Sequence, residues 1–518
     1  MARRSPRVAA AAMAVAAAAV ALTPPPPLGV VAGGALPPPT PPSGIPQVLL
    51  TAATAPIPVF SHPAIGAPLQ WRTLSAIGMP WFDCLGVYAR DDRRFTTWDG
   101  APVRRAPPAA RTAEQWGLCA ATAMAAAFDH IYGGGTSAPV YAATAAAGYT
   151  LPDLNDTACA RGPDPSDAGC VGLAAVRRYI NGTLDRDGMN ADGRAGLPTG
   201  APPRPYLDTR TGYAPVNGPA AGVTALTRWA PLVQDALGFG TYTAQTVAMA
   251  QTSLAAPLLV PRRRLWRLRL RPPYRSPHAY APGFVCGAGA ADPDRLCDAA
   301  RAVVAAGAHL TPGRRTLIRW FDRPAASIAD LAFRMLTGGG APLADYVVAE
   351  LAINAFAWDA TVQVWAEKLR HDAARPATLI PSILRHTPAG AAFTPAVPPP
   401  PTPDYPSAVA AYCHGIAHIL RALGGGALNL TIPLTEGQVG DGLPAAAEAI
   451  SFDSLESLAT ACGESRVWGG LAFPAAVDAG RALGLAVAKE VLRTVACRAP
   501  GTPGLPPCER GEGGGGSP

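Results

Sequence analysis

Four residues in the C-terminal half have the types and the order needed to hold an oxyanion. Lys368 and Arg375 lie seven residues apart in W-A-E-K-L-R-H-D-A-A-R-P (365–376). Seven residues make two helical turns, so on a continuous helix both cations would project from one face. Ser407 stands in Y-P-S-A-V (405–409), where a helix start would offer free backbone N–H groups and a hydroxyl to an anion. Arg466 stands in E-S-R-V-W-G-G-L-A-F (464–473), ahead of a Gly-Gly step that lets backbone approach a ligand or another helix. Guanidinium forks bind oxyanion oxygens bidentately and lysine adds a point charge. The chemistry indicated is retention of a tetrahedral or trigonal-bipyramidal oxyanion. Three buried cations also need a counter-charge. Either a bound anion or carboxylate side chains inside a bundle could supply it, and the sequence leaves both readings open.

Taken in order, these segments resemble the vanadium-dependent haloperoxidases and the type 2 phosphatidic acid phosphatases, whose pattern is K-x6-R-P, then P-S-G-H, then S-R-x5-H. Lys368, Arg375 and Pro376 match the first element, Pro406 and Ser407 half of the second, and Ser465 and Arg466 the start of the third. The flanks V-W-G-G-L near Val467 and D-A-G-R-A-L-G near Asp478 look like the family's last motif region. Upstream, D-G-M-N from Asp187, G-Y-A-P-V-N from Gly212 and R-W-A-P-L from Arg228 resemble the soluble haloperoxidase-like branch. The likeness runs from about residue 75 to 495. It implies an all-α, mainly helical fold of haloperoxidase-like bundles.

The same comparison implies lost chemistry. The glycine of P-S-G-H falls on Ala408, its histidine on Val409, and the last histidine on Ala472. In the family the last imidazole links vanadium or acts as the phosphatase nucleophile, and the other moves a proton; alanine and valine do neither. The resemblance therefore implies a catalytically degenerate protein that retains a cationic pocket of Lys368, Arg375, Ser407 and Arg466. No cofactor is expected in that case, with vanadate or phosphate as the ligands the pocket would take. The competing reading is an active enzyme in which His371, three residues after Lys368, substitutes for the missing imidazoles. His414 points well round its helix from Val409 and is a poorer candidate. Cys413 and Cys462 could form a disulfide bracing the emptied site.

The elements that must position these residues read mostly as helices. Apolar residues recur at helical spacing over 113–132, 327–336, 343–369, 407–423 and 475–494. Alanine, abundant in them, is the best helix former. One stretch alternates with period two, R-R-R-L-W-R-L-R-L-R at 262–271, and reads as an edge strand or extended loop with charge on one face. Residues 283–312, with two cysteines and several glycines, read as a separator between bundles. The organisation expected is a signal or transit peptide at 1–22, a Pro-rich linker at 23–55, an N-terminal helical region at 56–282, a C-terminal bundle at 283–497 and a disordered Gly-rich tail at 498–518.

Composition narrows the function classes. The 518 residues carry 43 basic and 36 acidic side chains, a net +7. Lys368 and Lys489 are the only lysines, so the charge is almost wholly arginine. It is dispersed and lacks an aromatic-interleaved basic platform, which argues against nucleic acid. An acidic polysaccharide on the 262–271 arginines remains a candidate partner and would define an extracellular interaction protein. A small oxyanion and a second copy in a homodimer complete the partner expectations. The N-terminal run, basic at Arg3, Arg4 and Arg7 and then alanine-rich to Leu22, has the shape of a cleavable export signal, with organelle import as the alternative. It is too short for a stable anchor, since a spanning helix needs about 20 apolar residues. Ten cysteines fit an oxidising compartment, with Cys159–Cys170 and Cys286–Cys297 as the expected local bridges and no structural metal site. Sequons at Asn155, Asn181 and Asn429 suit a glycosylated export product.

Overall fold

In the computed structural model the described residues are 67–509, apart from interruptions between 133 and 162, at 219–222, 236–241, 425–429 and 434–448, and at residues 276, 288, 323, 339 and 340. The leader and linker expectations for 1–22 and 23–55, and the Gly-rich end, 510–518, lie outside the described residues. So does Asn429.

One helix organises the rest. Helix α7 (Leu343–His371) follows α1 (Ala67–Tyr88), α2 (Ala113–Tyr132), α3 (Ala168–Gly182), α4 (Leu296–Ala308), α5 (Pro312–Trp320) and α6 (Pro324–Gly338). At 29 residues it is about 44 Å long. Most of its residues are buried, on every side of the helix, which marks a central core helix. It is followed by α8 (Pro376–Ile383), α9 (Ala408–Ala422), α10 (Leu455–Trp468) and α11 (Pro474–Arg498). Proline opens α5, α6, α8 and α11 at the first helical position, where its missing N–H has no intrahelical partner to lose. Ser454 starts α10 with a reciprocal capping box to Ser457. Among the described residues the strands form two antiparallel ribbons, Val233–Asp235 with Tyr242–Ala244 and Leu430–Pro433 with Ala449–Phe452.

The helical segments read from periodicity are helices here. The stretch at 262–271 is not a strand: Pro261 leads into a helical turn at Arg262–Leu265, continued as a 3₁₀ turn at Trp266–Leu268. Leu265 and Leu268 face inward three residues apart, a helical spacing that outweighs the leucine alternation. The separator expected at 283–312 contains α4, whose Leu296, Ala300 and Val303 pack with Leu379, Ile380 and Ile383 of α8. Helix α1 was hidden in the sequence by Pro80 and by Gly78 and Gly86 within it.

The largest core cluster draws on both halves of the chain. Trp71 of α1 meets Tyr412 of α9 edge-on at 5.3 Å, and Tyr412 shares a 2.8 Å hydrogen bond with Thr361 of α7. Asp359 of α7 accepts the backbone N–H groups of Leu258, Leu259 and Val260. Trp358 and Trp365 donate to the carbonyls of Ala256 and Ala248, so the irregular 248–260 segment is pinned along the central helix. Disulfides join Cys84–Cys119, Cys159–Cys170, Cys286–Cys297, Cys413–Cys462 and Cys497–Cys508. The two local bridges read from sequence and the Cys413–Cys462 link are all present. Cys508 ties residues after α11 back to that helix, and Thr502 there is buried.

Helices α9 and α11 approach closely because Gly480 and Gly484 lie against the backbone of α9. A Cβ at Gly484 would stand 2.2 Å from the Ala411 carbonyl oxygen, and one at Gly480 would stand 2.3 Å from that of Ser407. Gly484→Ala is therefore expected to destabilise the protein by about 1–3 kcal/mol through overpacking, even though alanine favours an isolated helix by about 1 kcal/mol. Denaturant unfolding of the purified variant checks this; unchanged or raised stability would contradict the close packing of α9 on α11.

Candidate functional site

Lys368 sits one turn from the C-terminus of α7, which ends because Asp372 adopts a left-handed backbone conformation (φ 48°) and donates its N–H to the Lys368 carbonyl. Tyr213 steadies that turn by donating its hydroxyl to Asp372 Oδ1 at 2.5 Å. The chain then runs extended. Trp229 N–H donates to the Asp372 carbonyl, Ala374 N–H to the Thr227 carbonyl, and Asp404 N–H to the Ala373 carbonyl. Asn217 shapes the flanking loop: its amide donates to the Ala225 and Arg228 carbonyls and its oxygen accepts from Thr224 and Ala225. The upstream motifs beginning at Gly212 and Arg228 thus clamp residues 372–375 from one side while Asp404 holds the other.

Arg375 lies beyond α7, as the residue preceding α8. The sequence expectation of Lys368 and Arg375 on one helical face is therefore corrected, because the left-handed turn at Asp372 ends the helix between them. They converge instead through the segment 402–404. Lys368 Nζ donates to the carbonyls of Pro403 (2.6 Å) and Asp404 (3.0 Å). Arg375 donates from Nε to the Thr402 carbonyl (2.6 Å), from Nη1 to the Leu471 carbonyl (2.6 Å), and from Nη2 to Thr402 Oγ1 (3.0 Å) and the Pro403 carbonyl (3.3 Å).

Asp404, which the motifs above do not single out, stands at the centre of this cluster. Its Oδ1 is 3.5 Å from Arg375 Nη1 and its Oδ2 accepts the Phe473 N–H at 3.0 Å. The side chain is 2% exposed. Arg466, at the end of α10, is also buried and pairs with Asp322 at 2.7 Å. The Gly469-Gly470 turn, with Gly470 at φ 70°, brings the Leu471 carbonyl to Arg375 and the Phe473 N–H to Asp404. A Cβ on Gly470 would strike the Phe393 ring at 2.7 Å. Ser407 is buried but is turned to its own helix: its hydroxyl accepts from Ala410 N–H at 3.4 Å, and its N–H donates to the Ala476 carbonyl.

Electrostatics follow from burial. Burial pushes the Lys368 ammonium well below the ordinary lysine range; Arg375 adds to this, and Asp404 opposes it. Arg375 is lowered to about 10 by burial and by Arg466, again against Asp404. Burial raises the Asp404 carboxyl, while Arg375, the Phe473 N–H, Lys368 and Arg466 pull it back down. Two atoms of this cluster, Asp404 Oδ1 and Arg466 Nη1, are buried without a hydrogen-bond partner.

A small cavity of about 50 Å³ adjoins the cluster, walled by Tyr274, Asp294, Ala373, Asp404, Tyr405 and Phe473. Ala472 is buried with Ala373, Tyr405, Ala476 and Ala479. Ala408 and Val409 begin α9 and pack on the main core. His371 is the last residue of α7; its Nε2 pairs with Glu367 at 3.1 Å and its ring meets Tyr405 edge-on at 5.1 Å. His414 lies on α9 near Arg481 and Glu456, which themselves pair at 2.8 Å. Asn155 and Asn181 are exposed.

The fold is that of the vanadium haloperoxidase-like superfamily. Residues 349–499, which carry Lys368, Arg375, Ser407 and Arg466, match the family model described as VCPO second helical-bundle domain. A holo-type bacterial vanadium-dependent chloroperoxidase superposes with a TM-score of 0.73 at 20% identity, covering 87% of this chain and 96% of its own. The apo-type bacterial enzyme gives 0.67 at 20% identity, with 84% and 95% covered. A bacterial vanadium-dependent iodoperoxidase gives 0.59 at 15% identity, with 87% and 96% covered. No curated protein matches the chain.

His414 yields a prediction that separates it from the cluster. Burial, with Arg481 adding and Glu456 opposing, lowers its pKa to about 4. Between the unfolded value of about 6.5 and that folded value, the unfolded chain takes up a proton that the folded protein refuses. The stability contributed by the neutral ring is present above pH 6.5 and is lost as pH falls toward 4, by about 1–3 kcal/mol. His414→Gln should flatten this part of the acid dependence in denaturant titrations at pH 7, 5.5 and 4; a slope identical to wild type would refute it.

Proposed function

We propose that the protein is a haloperoxidase-like scaffold that has lost the catalysis of its superfamily. The observation that carries this reading is the Asp404 carboxylate standing among Lys368, Arg375 and Arg466, where the resemblance would place a bound oxyanion. The positions matching the two motif histidines hold Val409 and Ala472, neither of which offers a nitrogen to a metal centre or a proton to a substrate. Most donors of Lys368 and Arg375 are already committed to carbonyl oxygens and the Thr402 hydroxyl. Vanadate does not fit this arrangement: the anion's place is taken by a side chain and its covalent ligand is absent. His371 gives the active alternative little support, because its Nε2 is paired with Glu367 and its ring with Tyr405, rather than with the cationic cluster.

The scaffold reading fits an oxidising compartment. Ten cysteines form five disulfides, and among the described residues no helix is long and apolar enough to cross a membrane. Secretion and glycosylation at the exposed Asn155 and Asn181 belong to the same proposal.

A second reading, retention on an acidic polysaccharide, is favoured by one observation. Arg263, Arg267, Arg269 and Arg271 are exposed beside a half-exposed Trp266, and among the described residues none of these arginines has an ion-pair partner. Exposed unpaired guanidinium groups suit sulfate and carboxylate groups on a polymer.

The purified protein supplied with vanadate, peroxide and bromide is expected to brominate no faster than its Arg466→Ala variant, and to leave a phosphate monoester intact. Turnover above that variant would overturn the scaffold reading. On a heparin column, wild type should elute at higher salt than a variant with alanine at positions 263, 267, 269 and 271; coincident elution would retire the polysaccharide reading.

A further inference from the structure

A pocket cut for a tetrahedral oxyanion and filled by a carboxylate should show a mismatch, and this one does. A carboxylate presents two oxygens from a short stem, whereas phosphate presents four around a centre. Asp404 spends Oδ2 on the Phe473 N–H and leaves Oδ1 3.5 Å from Arg375. Arg466 uses Nη2 on Asp322 and leaves Nη1 buried without a partner. A buried acceptor and a buried donor of opposite charge thus lie in one cluster without meeting, although leaving either unpaired is costly. The backbone explains why. Asp404 is fixed on both sides, its N–H donating to the Ala373 carbonyl and its carbonyl accepting from Lys368. Its side chain is held in turn by the Phe473 N–H.

We propose that Asp404 is a tethered internal anion that occupies the position of a free oxyanion, so that replacing it with alanine opens the Lys368–Arg375–Arg466 cluster to inorganic phosphate. The adjoining cavity, which Asp404 and Phe473 both line, provides space beside the vacated carboxylate. This rests on the scaffold reading of the same pocket and adds what keeps it closed. Charge drives the exchange: without Asp404 the cluster keeps three cationic side chains facing only Asp322 and carbonyl dipoles. A soluble anion then restores the balance that the side chain provided.

The test is calorimetric titration of inorganic phosphate into wild type, Asp404→Ala, and Asp404→Ala with Arg466→Ala. Wild type is expected to show no saturable binding in the millimolar range. The single variant should bind at least about ten-fold more tightly, a difference that guanidinium–phosphate bonds readily supply, and the double variant should lose that gain. Phosphate should likewise raise the Tm of the single variant alone. If Asp404→Ala fails to fold in phosphate-free buffer, refolding in phosphate becomes the readout: rescue of the single but not the double variant supports the proposal, and no rescue overturns it. Equal phosphate affinity in wild type and Asp404→Ala also overturns it, as does a folded Asp404→Ala that binds none. Bromination by wild type would instead sink the scaffold reading, so the two failures are distinguishable.

Discussion

Three cationic side chains buried within one cluster impose a charge balance that the surrounding structure has to satisfy. Desolvating an ion costs several kcal/mol even after relaxation, and removing one partner of a buried pair leaves the other uncompensated. Here the balance is met from inside the chain. Asp404 and Asp322 supply negative charge, and the carbonyls of Thr402, Pro403, Asp404 and Leu471 supply oriented dipoles. The segment from Thr402 to Asp404 therefore cannot drift from the end of the central helix, and the Gly469-Gly470 turn cannot relax away from Arg375.

That constraint explains why distant parts of the chain are needed to build one small site. The left-handed residue at Asp372 ends the central helix, and Tyr213, Thr227 and Trp229 bracket the extended residues that follow. Asn217 sets the shape of that bracket with hydrogen bonds from both ends of its amide. On the opposite wall, glycines of α11 bring the start of α9 within backbone contact distance, and the Cys413–Cys462 disulfide joins α9 to α10 just before Arg466. Rigidity is built on both sides of the cluster, so the charges meet in a fixed geometry.

The fold and the site carry different information. A fold shared with vanadium-dependent peroxidases describes the architecture, and function has to be argued from the groups at the site. Those groups are cations, and most donors of Lys368 and Arg375 are spent on the protein itself. Within this cluster the unmatched atoms of Asp404 and Arg466 are charged groups that the packing buries without a hydrogen-bond partner.

Local chemistry made much of the fold legible in the sequence. The alanine-rich segments at 113–132, 343–369, 407–423 and 475–494 have a helical period that depends only on near neighbours, and each forms a helix. The same holds for the Cys159–Cys170 and Cys286–Cys297 pairs, each eleven residues apart. Where local patterns were ambiguous, packing decided: Leu265 and Leu268 turn the arginine stretch into helical turns, and α4 fills what read as a separator. The need for a counter-charge was legible too, since it follows from burying cations of any arrangement. Its source was not. Asp404 precedes Tyr405-Pro406-Ser407 in plain view, yet its role depends on a helix stop at Asp372 and a glycine turn near residue 470 meeting at one point. Sequence by itself determined which charges exist and which segments are helical, because those depend on composition and short-range period. Only the tertiary structure decided which carboxylate meets which cation, because Coulomb and hydrogen-bond partners are chosen by distance in space between residues far apart along the chain.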